Sequence, residues 1–432
     1  MKNIFDKIKN LSVLQDKTGR NVSLVASGVV FELIANGLSY LILTRIYSPQ
    51  EFGFFASFLF VVILISVLST LRYDWFIPSA RTDSEAINIF FLCFILVSFS
   101  SIFLAVPIFE LFIRIFGYSD INKLKEYRML APFYVFFGSL YQVANMWAIR
   151  KEYFLTIAKV KFYQSIVLIL VSITLGLGGF GVKGLILANI SSLFSGLIIF
   201  ILSFLGKDKK KLKDIKLSYA ISYAKQYFRL TFSSVGQSFV STFAYQVVPF
   251  LVTTYFSPKF AGQYFLADRI INLPTIIVGQ ATFQVFWSEA SHTKQENPEK
   301  LMSLFMNFFR RLLKISWIIV AIGILGPFTF EFIFGSKEWG EAGVVALILV
   351  PAAVFHFCIF PISPILIVLE HQHWLFLWDI FRLILIFFCF YLPSKLSWNP
   401  KYATLLYSLT MNFMYIILFF ISMLVIKRAV KK

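Results

Sequence analysis

Seven ionisable side chains stand inside or at the ends of long apolar runs: Glu32, Arg72, Asp74, Asp268, Arg269, Asp379 and Arg382. Placing one at the centre of a membrane helix costs about 2.5–3.5 kcal/mol on insertion scales, so each calls for a reason. An arginine keeps its charge at any depth and its planar fork grips phosphate oxygens bidentately. A carboxylate can take up a proton or a metal cation. Asp379 and Arg382, three residues apart, can pair on one helix face. Asp268 and Arg269 are neighbours, point about 100° apart on a helix, and need not pair with each other. Arginines facing a shared cavity would suit an anionic, membrane-tethered headgroup, and the carboxylates a coupled proton or sodium ion. Arg72 and Asp74 mark a helix end, where an arginine commonly snorkels to the interface.

A second pattern surrounds Glu32. Gly28, Glu32, Asn36 and Ser39 or Tyr40 share one face of a helix. At an offset of 209 residues the same positions hold Gln237, Ser241 and Tyr245, so two helices present polar stripes at equivalent places. Glu32 is then either a protonation or cation site or one partner of a structural hydrogen bond to a neighbouring helix. His356, alone in an apolar run, reads as a hydrogen-bonded packing residue. His371 and His373 have no third ligand in sequence, and the glycines at 176–184 lack the Lys-Ser/Thr of a phosphate loop. No cofactor or metal site is expected, and no Ser-His-Asp set or paired-carboxylate motif suggests an enzyme.

The elements that must position these groups follow from composition. Of 432 residues, 58% are apolar and only 14% charged, with 53 Phe and 19 Tyr. Soluble proteins average about 25% charged residues, so a water-exposed surface could not be covered. Long continuous apolar runs indicate membrane-spanning helices. Twelve spans are expected, near 22–44, 52–72, 87–113, 128–149, 155–177, 183–205, 229–254, 262–287, 312–334, 342–369, 374–393 and 402–426. The turn Tyr47-Ser-Pro-Gln-Glu-Phe-Gly53 recurs as Phe256-Ser-Pro-Lys-Phe-Ala-Gly262. Pro107 to Phe116 and Pro327 to Phe334 repeat likewise, as do Leu130-Ala-Pro132 and Leu349-Val-Pro351. The expected fold is an all-α polytopic membrane protein of two parallel six-helix repeats around a central cavity.

The net charge of +18 does not point to nucleic acid, because most basic residues sit at span ends on one side. That bias puts both termini in the cytoplasm and makes anionic membrane lipids the partner of the basic loops. The expected organisation is a cytoplasmic amphipathic segment at 1–21, a lobe at 22–205, a basic linker at 206–228, a lobe at 229–426 and a tail at 427–432. Cys93, Cys358 and Cys389 fall in apolar runs and read as small buried hydrophobes.

Several stretches together resemble the bacterial flippases of lipid-linked oligosaccharides, the O-antigen and polysaccharide exporters related to multidrug exporters and to the lipid II flippase. They are Leu43-Thr-Arg-Ile-Tyr-Ser-Pro-Gln-Glu-Phe-Gly53, Arg72-Tyr-Asp-Trp-Phe-Ile-Pro78, Trp147-Ala-Ile-Arg-Lys-Glu-Tyr-Phe154, Tyr264-Phe-Leu-Ala-Asp-Arg269 and Gly279-Gln-Ala-Thr-Phe-Gln-Val-Phe286. The resemblance implies a cationic central cavity and a protein of the bacterial inner membrane. It implies movement of an undecaprenyl-diphosphate oligosaccharide to the outer leaflet by alternating access, beside glycan-assembly machinery. Arg72 and Arg269 match motif arginines; Glu32 matches none. The expected substrate contacts are Arg72, Arg269, Arg382, Gln237 and Tyr245, and the expected ion-coupling groups Glu32, Asp268, Asp379 and Asp74. The alternatives are a small-molecule cation or drug antiporter, with an acidic cavity, and a membrane glycan polymerase.

Overall fold

The computed structural model describes residues 28, 31, 32, 35, 37–116, 119–335 and 337–430. The expected amphipathic segment at 1–21, Asn36 and much of the first span lie outside the described residues. The longer α-helices among the described residues are α1 (Gly37–Ile46), α2 (Pro49–Ser69), α3 (Asp83–Phe99), α4 (Ala105–Phe116), α5 (Ala131–Arg150), α6 (Phe154–Leu177), α7 (Gly181–Lys207), α8 (Leu217–Tyr255), α9 (Pro258–Ile271), α10 (Gln280–Glu296), α11 (Leu301–Ile315), α12 (Trp317–Ile333), α13 (Gly340–Ile359), α14 (His373–Lys395) and α15 (Pro400–Val430). Among the described residues there is no strand.

Nine helical stretches among the described residues are long and apolar enough to cross a membrane, ten if the bent pair α9–α10 is one span. The chain is a multi-pass membrane protein. α5, at the fourth expected span, is not among the nine or ten. It carries Tyr134, Tyr141, Gln142, Asn145, Trp147 and Arg150, which lower its hydropathy.

The chain forms two compact units. One holds the described residues of 28–39, 61–112 and 125–236; the other holds those of 40–60, 113–124 and 237–430. In the first, Ile89, Cys93, Val143 and Trp147 centre one apolar cluster, and Val97, Ala144, Val160 and Leu197 another. Polar side chains stitch its helices: Ser69 Oγ donates to Ser139 Oγ at 2.7 Å, and Ser192 Oγ to the Gln164 carbonyl at 2.9 Å. The basic segment after α7 is tied down rather than free. Asn88 donates to the Asp214 carbonyl at 2.9 Å and accepts from the Lys216 amide at 2.8 Å. Further along, Tyr227 donates to Glu85 at 2.6 Å and stacks on Phe76.

In the second unit the repeated Ser-Pro turns prove to be helix starts. Ser48 is the N-cap of α2, with Pro49 at its first position and Glu51 closing a capping box: the Ser48 amide donates to Glu51 at 2.7 Å. Ser257 caps α9 in the same way, accepting from the Phe260 amide at 3.1 Å. Burial pushes the Tyr47 phenol, just before the first cap, up to about 12. Ser57 donates to Thr253 at 2.8 Å, and the Trp339 indole to the Thr44 carbonyl at 2.9 Å. Phe52, Phe58, Phe250 and Phe357 fill the interior. All three cysteines are buried thiols.

Candidate functional site

Six helices, α8, α9, α10, α13, α14 and α15, carry charged or polar side chains to one place in the second unit. α9 ends at Ile271 and a wide turn follows at Thr275–Gly279, so the axis bends by 48° into α10. Pro274 accounts for the break, because it offers no amide to the preceding turn. Asp268 and Arg269 lie in the last turn before the bend. Asn272, four residues after Asp268, donates to its carboxylate at 2.9 Å and to its carbonyl at 3.1 Å. On its other side Asn272 Oδ1 lies 3.4 Å from His356 Nδ1 of α13. A chain of polar groups therefore runs Asp268–Asn272–His356 from α9 to α13.

α14 supplies the second ion pair. Arg382 Nη2 meets Asp379 Oδ1 at 2.7 Å, the pairing their spacing predicts, and both are about nine-tenths buried. The guanidinium also lies over the Trp378 ring, 4.6 Å from its centre, and its Nε has no hydrogen-bond partner. Arg269 lies over Phe265 at 5.0 Å. Taking two arginines into an apolar interior is tolerable only with such partners.

Two adjoining cavities open among these groups. The smaller, about 70 Å³, is lined by Asp268, Arg269, Asn272, Tyr264 and Tyr407. The larger, about 540 Å³, is lined by Gln237, Ser241, Gln280, Trp378 and Asp379. Tyr245, Gln246, His356, Arg382 and Tyr415 line both and join them. Tyr245, at 49% exposure, presents its ring to this space rather than packing into the core. The charged lining of the two cavities is balanced, Arg269 and Arg382 against Asp268 and Asp379, with a rim of tyrosines and neutral amides. Such a surface offers guanidinium forks for an anionic group and aromatic faces for a sugar or a hydrocarbon.

Of the residues expected from sequence, the structure thus gathers Gln237, Tyr245, Asp268, Arg269, Asp379 and Arg382. Glu32, Arg72 and Asp74 belong to the other unit. There Glu32 pairs with Lys161 of α6 at 3.1 Å, and Lys161 also lies over the Tyr141 ring. Arg72 has a left-handed backbone (φ 60°) in the turn after α2 and lays its guanidinium over Trp75 at 4.7 Å. Asp74, 1% exposed, accepts from Thr70 at 2.8 Å through one oxygen, and the other has no partner. Burial raises the Asp74 carboxyl above the usual carboxylate range and lowers Arg72.

Sequence reasoning missed Asn272, Tyr407, Tyr415 and Lys161. Asn272 had a signal, its i,i+4 spacing from Asp268 just before Leu-Pro. Lys161 had none, since it looks like one more basic residue near a span end.

The profile of the polysaccharide biosynthesis protein family matches residues 42–344. The chain belongs to that family. Curated proteins give no match by sequence. Among solved structures, this polysaccharide biosynthesis protein is similar to a multidrug resistance MATE transporter of the MOP superfamily in an inward-facing conformation. The identity is 15%, with 94% of this chain and 95% of that one covered and a TM-score of 0.67. The lipid II flippase MurJ, in an inward closed conformation, gives 15% identity, coverage of 94% and 90%, and a TM-score of 0.68. A MOP superfamily transporter from Pyrococcus furiosus, described as having a binding pocket of reversed polarity, gives 16%, 97% and 98%, and 0.62. At these identities the likeness establishes a shared fold, that of the MOP superfamily.

Proposed function

We propose that this protein is a flippase that carries an undecaprenyl-diphosphate-linked oligosaccharide, of O-antigen or capsule type, from the cytoplasmic to the outer leaflet by alternating access. The observation that carries this reading is the pair of arginines, Arg382 buried and Arg269 partly buried, on a tyrosine-lined cavity within a chain of the polysaccharide biosynthesis family. Arg269 and Arg382 would take the diphosphate or an acidic sugar, with Gln237 and Tyr245 beside them. Asp379 pairs with Arg382, and the anionic group of the substrate would compete with it for the guanidinium. Arg72 would meet the headgroup at the cytoplasmic entrance. Glu32, Asp74, Asp268 and Asp379 are the candidates for a coupled proton or sodium ion, since inward cation movement draws about 2.3 kcal/mol per charge per 100 mV.

This reading sets the protein in the bacterial inner membrane with both termini cytoplasmic and two six-helix lobes. The protein performs no chemistry on the glycan. Its test is Arg269→Ala: lipid-linked glycan accumulates in the inner leaflet and surface glycan is lost, while the variant stays in the membrane. Normal surface glycan in that variant removes Arg269 from the mechanism.

A second reading, a small-molecule cation antiporter, draws on the balanced charge of the cavity and on the MATE fold. Proteoliposomes discriminate: a lipid diphosphate should exchange leaflets in them, and a cationic dye should not be driven out by a proton or sodium gradient.

A further inference from the structure

We propose that the first unit contains a binding site for an anionic phospholipid, with one acyl chain in an apolar cavity and the phosphate on the basic segment that crosses its mouth. The cavity, about 260 Å³, lies where the Asp83 end of α3 meets the ends of α5 and α7. Phe90, Trp147, Leu197, Phe200, Phe204 and Leu212 stand in its wall. Protein interiors leave few voids larger than a water molecule, and an apolar void excludes water and accepts an apolar guest. The polar atoms that could wet this one are turned elsewhere. The Trp147 indole donates to Asp208 at 3.1 Å and the Tyr153 hydroxyl to the same oxygen at 3.0 Å. What remains facing the cavity is ring and aliphatic surface.

The mouth supplies the charge. Between Lys207 and Lys216 stand six lysines and two aspartates. Asp83 gathers Arg150, Lys151 and Lys211. Lys207 lies over the Tyr153 ring at 4.0 Å. Among the described residues, Lys207, Lys209, Lys210 and Lys213 have no carboxylate within ion-pair distance, so positive charge is left over at the opening. Leu212 and Ile215 of the same segment reach into the cavity wall. One stretch of chain thus offers both cation and apolar contact, the pairing an amphiphile with an anionic head requires. The wall residues Phe94, Ile201 and Leu212 are exposed, so the cavity opens to the outside of the unit, where bilayer lipid is in excess. That favours a bulk phospholipid over a scarce prenyl lipid. The site is separate from the arginine-lined cavities and does not depend on what they carry.

The test is made on the whole protein in proteoliposomes containing phosphatidylglycerol or phosphatidylcholine with brominated chains, at equal mole fraction. Trp147 fluorescence is isolated by subtracting the signal of Trp147→Phe. Quenching by the glycerol lipid should be at least threefold stronger, and Lys207→Ala/Lys210→Ala/Lys213→Ala should bring it down to the level of the choline lipid. Native mass spectrometry of the unmodified protein, counting retained lipids of each kind, gives the same comparison without any variant. Equal quenching and equal retention of the two lipids overturn the proposal, and so does a preference that survives the triple substitution. Displacement of phosphatidylglycerol by a trace of polyprenyl phosphate would assign the site to a prenyl lipid and overturn the phospholipid assignment.

Discussion

Gly53 and Gly262 sit at one reciprocal backbone crossing. A β-carbon on Gly53 would lie 1.8 Å from the Pro258 carbonyl oxygen, and one on Gly262 would lie 1.7 Å from that of Pro49. Each first turn of α2 and α9 therefore presses its glycine against the capping turn of the other. No rotamer change relieves a clash with backbone, so Gly53→Ala or Gly262→Ala must push the helices apart. Overpacking of this kind costs about 1–3 kcal/mol. Both variants should unfold at lower temperature in detergent, and the double variant should lose less than the sum, because one displacement relieves both clashes. Additive losses would mean that the two contacts are independent.

The buried pair Asp379–Arg382 should behave as a unit. Removing either partner leaves the other charged in an apolar interior, at about 3–5 kcal/mol. Asp379→Ala and Arg382→Ala should each lower unfolding midpoints sharply. The double variant, with no orphan charge, should regain much of the loss. A double variant as unstable as the sum of the singles would show that the two residues do not depend on each other for stability.

How far the sequence carries is clearest on α9 and α14. The spacing of Asp379 and Arg382 already paired them, since residues three apart on a helix face the same side. The Ser-Pro repeats read as matching turns between apolar runs, and only three-dimensional packing could show that they start helices and that the two starts touch each other. Asp268 and Arg269 were conspicuous as charges in an apolar run. The partner of Asp268 was not, because Asn272 is an ordinary residue until the fold brings it between Asp268 and His356. Lys161 was hidden for the opposite reason: a lysine near a span end has a sufficient explanation in topology, which conceals its pairing with Glu32.

Tyr227 offers a pH-dependent signature outside the membrane spans. Its hydrogen bond to Glu85, with burial adding to it, pushes the phenol up to about 12. A phenol raised from its usual value of about 10 stabilises the fold fully below that value and loses its contribution as pH rises through 12. Difference absorbance of phenolate between the unmodified protein and Tyr227→Phe should show one group titrating near 12. A missing component near 10 would break the assignment of that hydrogen bond.

Glu32 and Lys161 separate a structural role from a coupling role. The carboxylate meets the ammonium at 3.1 Å, and Lys161 has the Tyr141 ring 5.7 Å away as its other partner. Hydrogen bonds to charged groups contribute about 1.5–3 kcal/mol, so Glu32→Gln should lower stability measurably in an unfolding assay. The reversed pair, Glu32→Lys with Lys161→Glu, restores attraction between the same two positions and should recover most of that stability. Transport then decides the role. If the pair only ties α6 to its neighbour, the reversed variant supports surface-glycan assembly as well as it folds. If Glu32 carries the coupled cation, the reversed variant folds but leaves the glycan unexported, because the carboxylate has moved to the other helix. A reversed variant no more stable than Glu32→Gln would show instead that the ion pair contributes little to the fold.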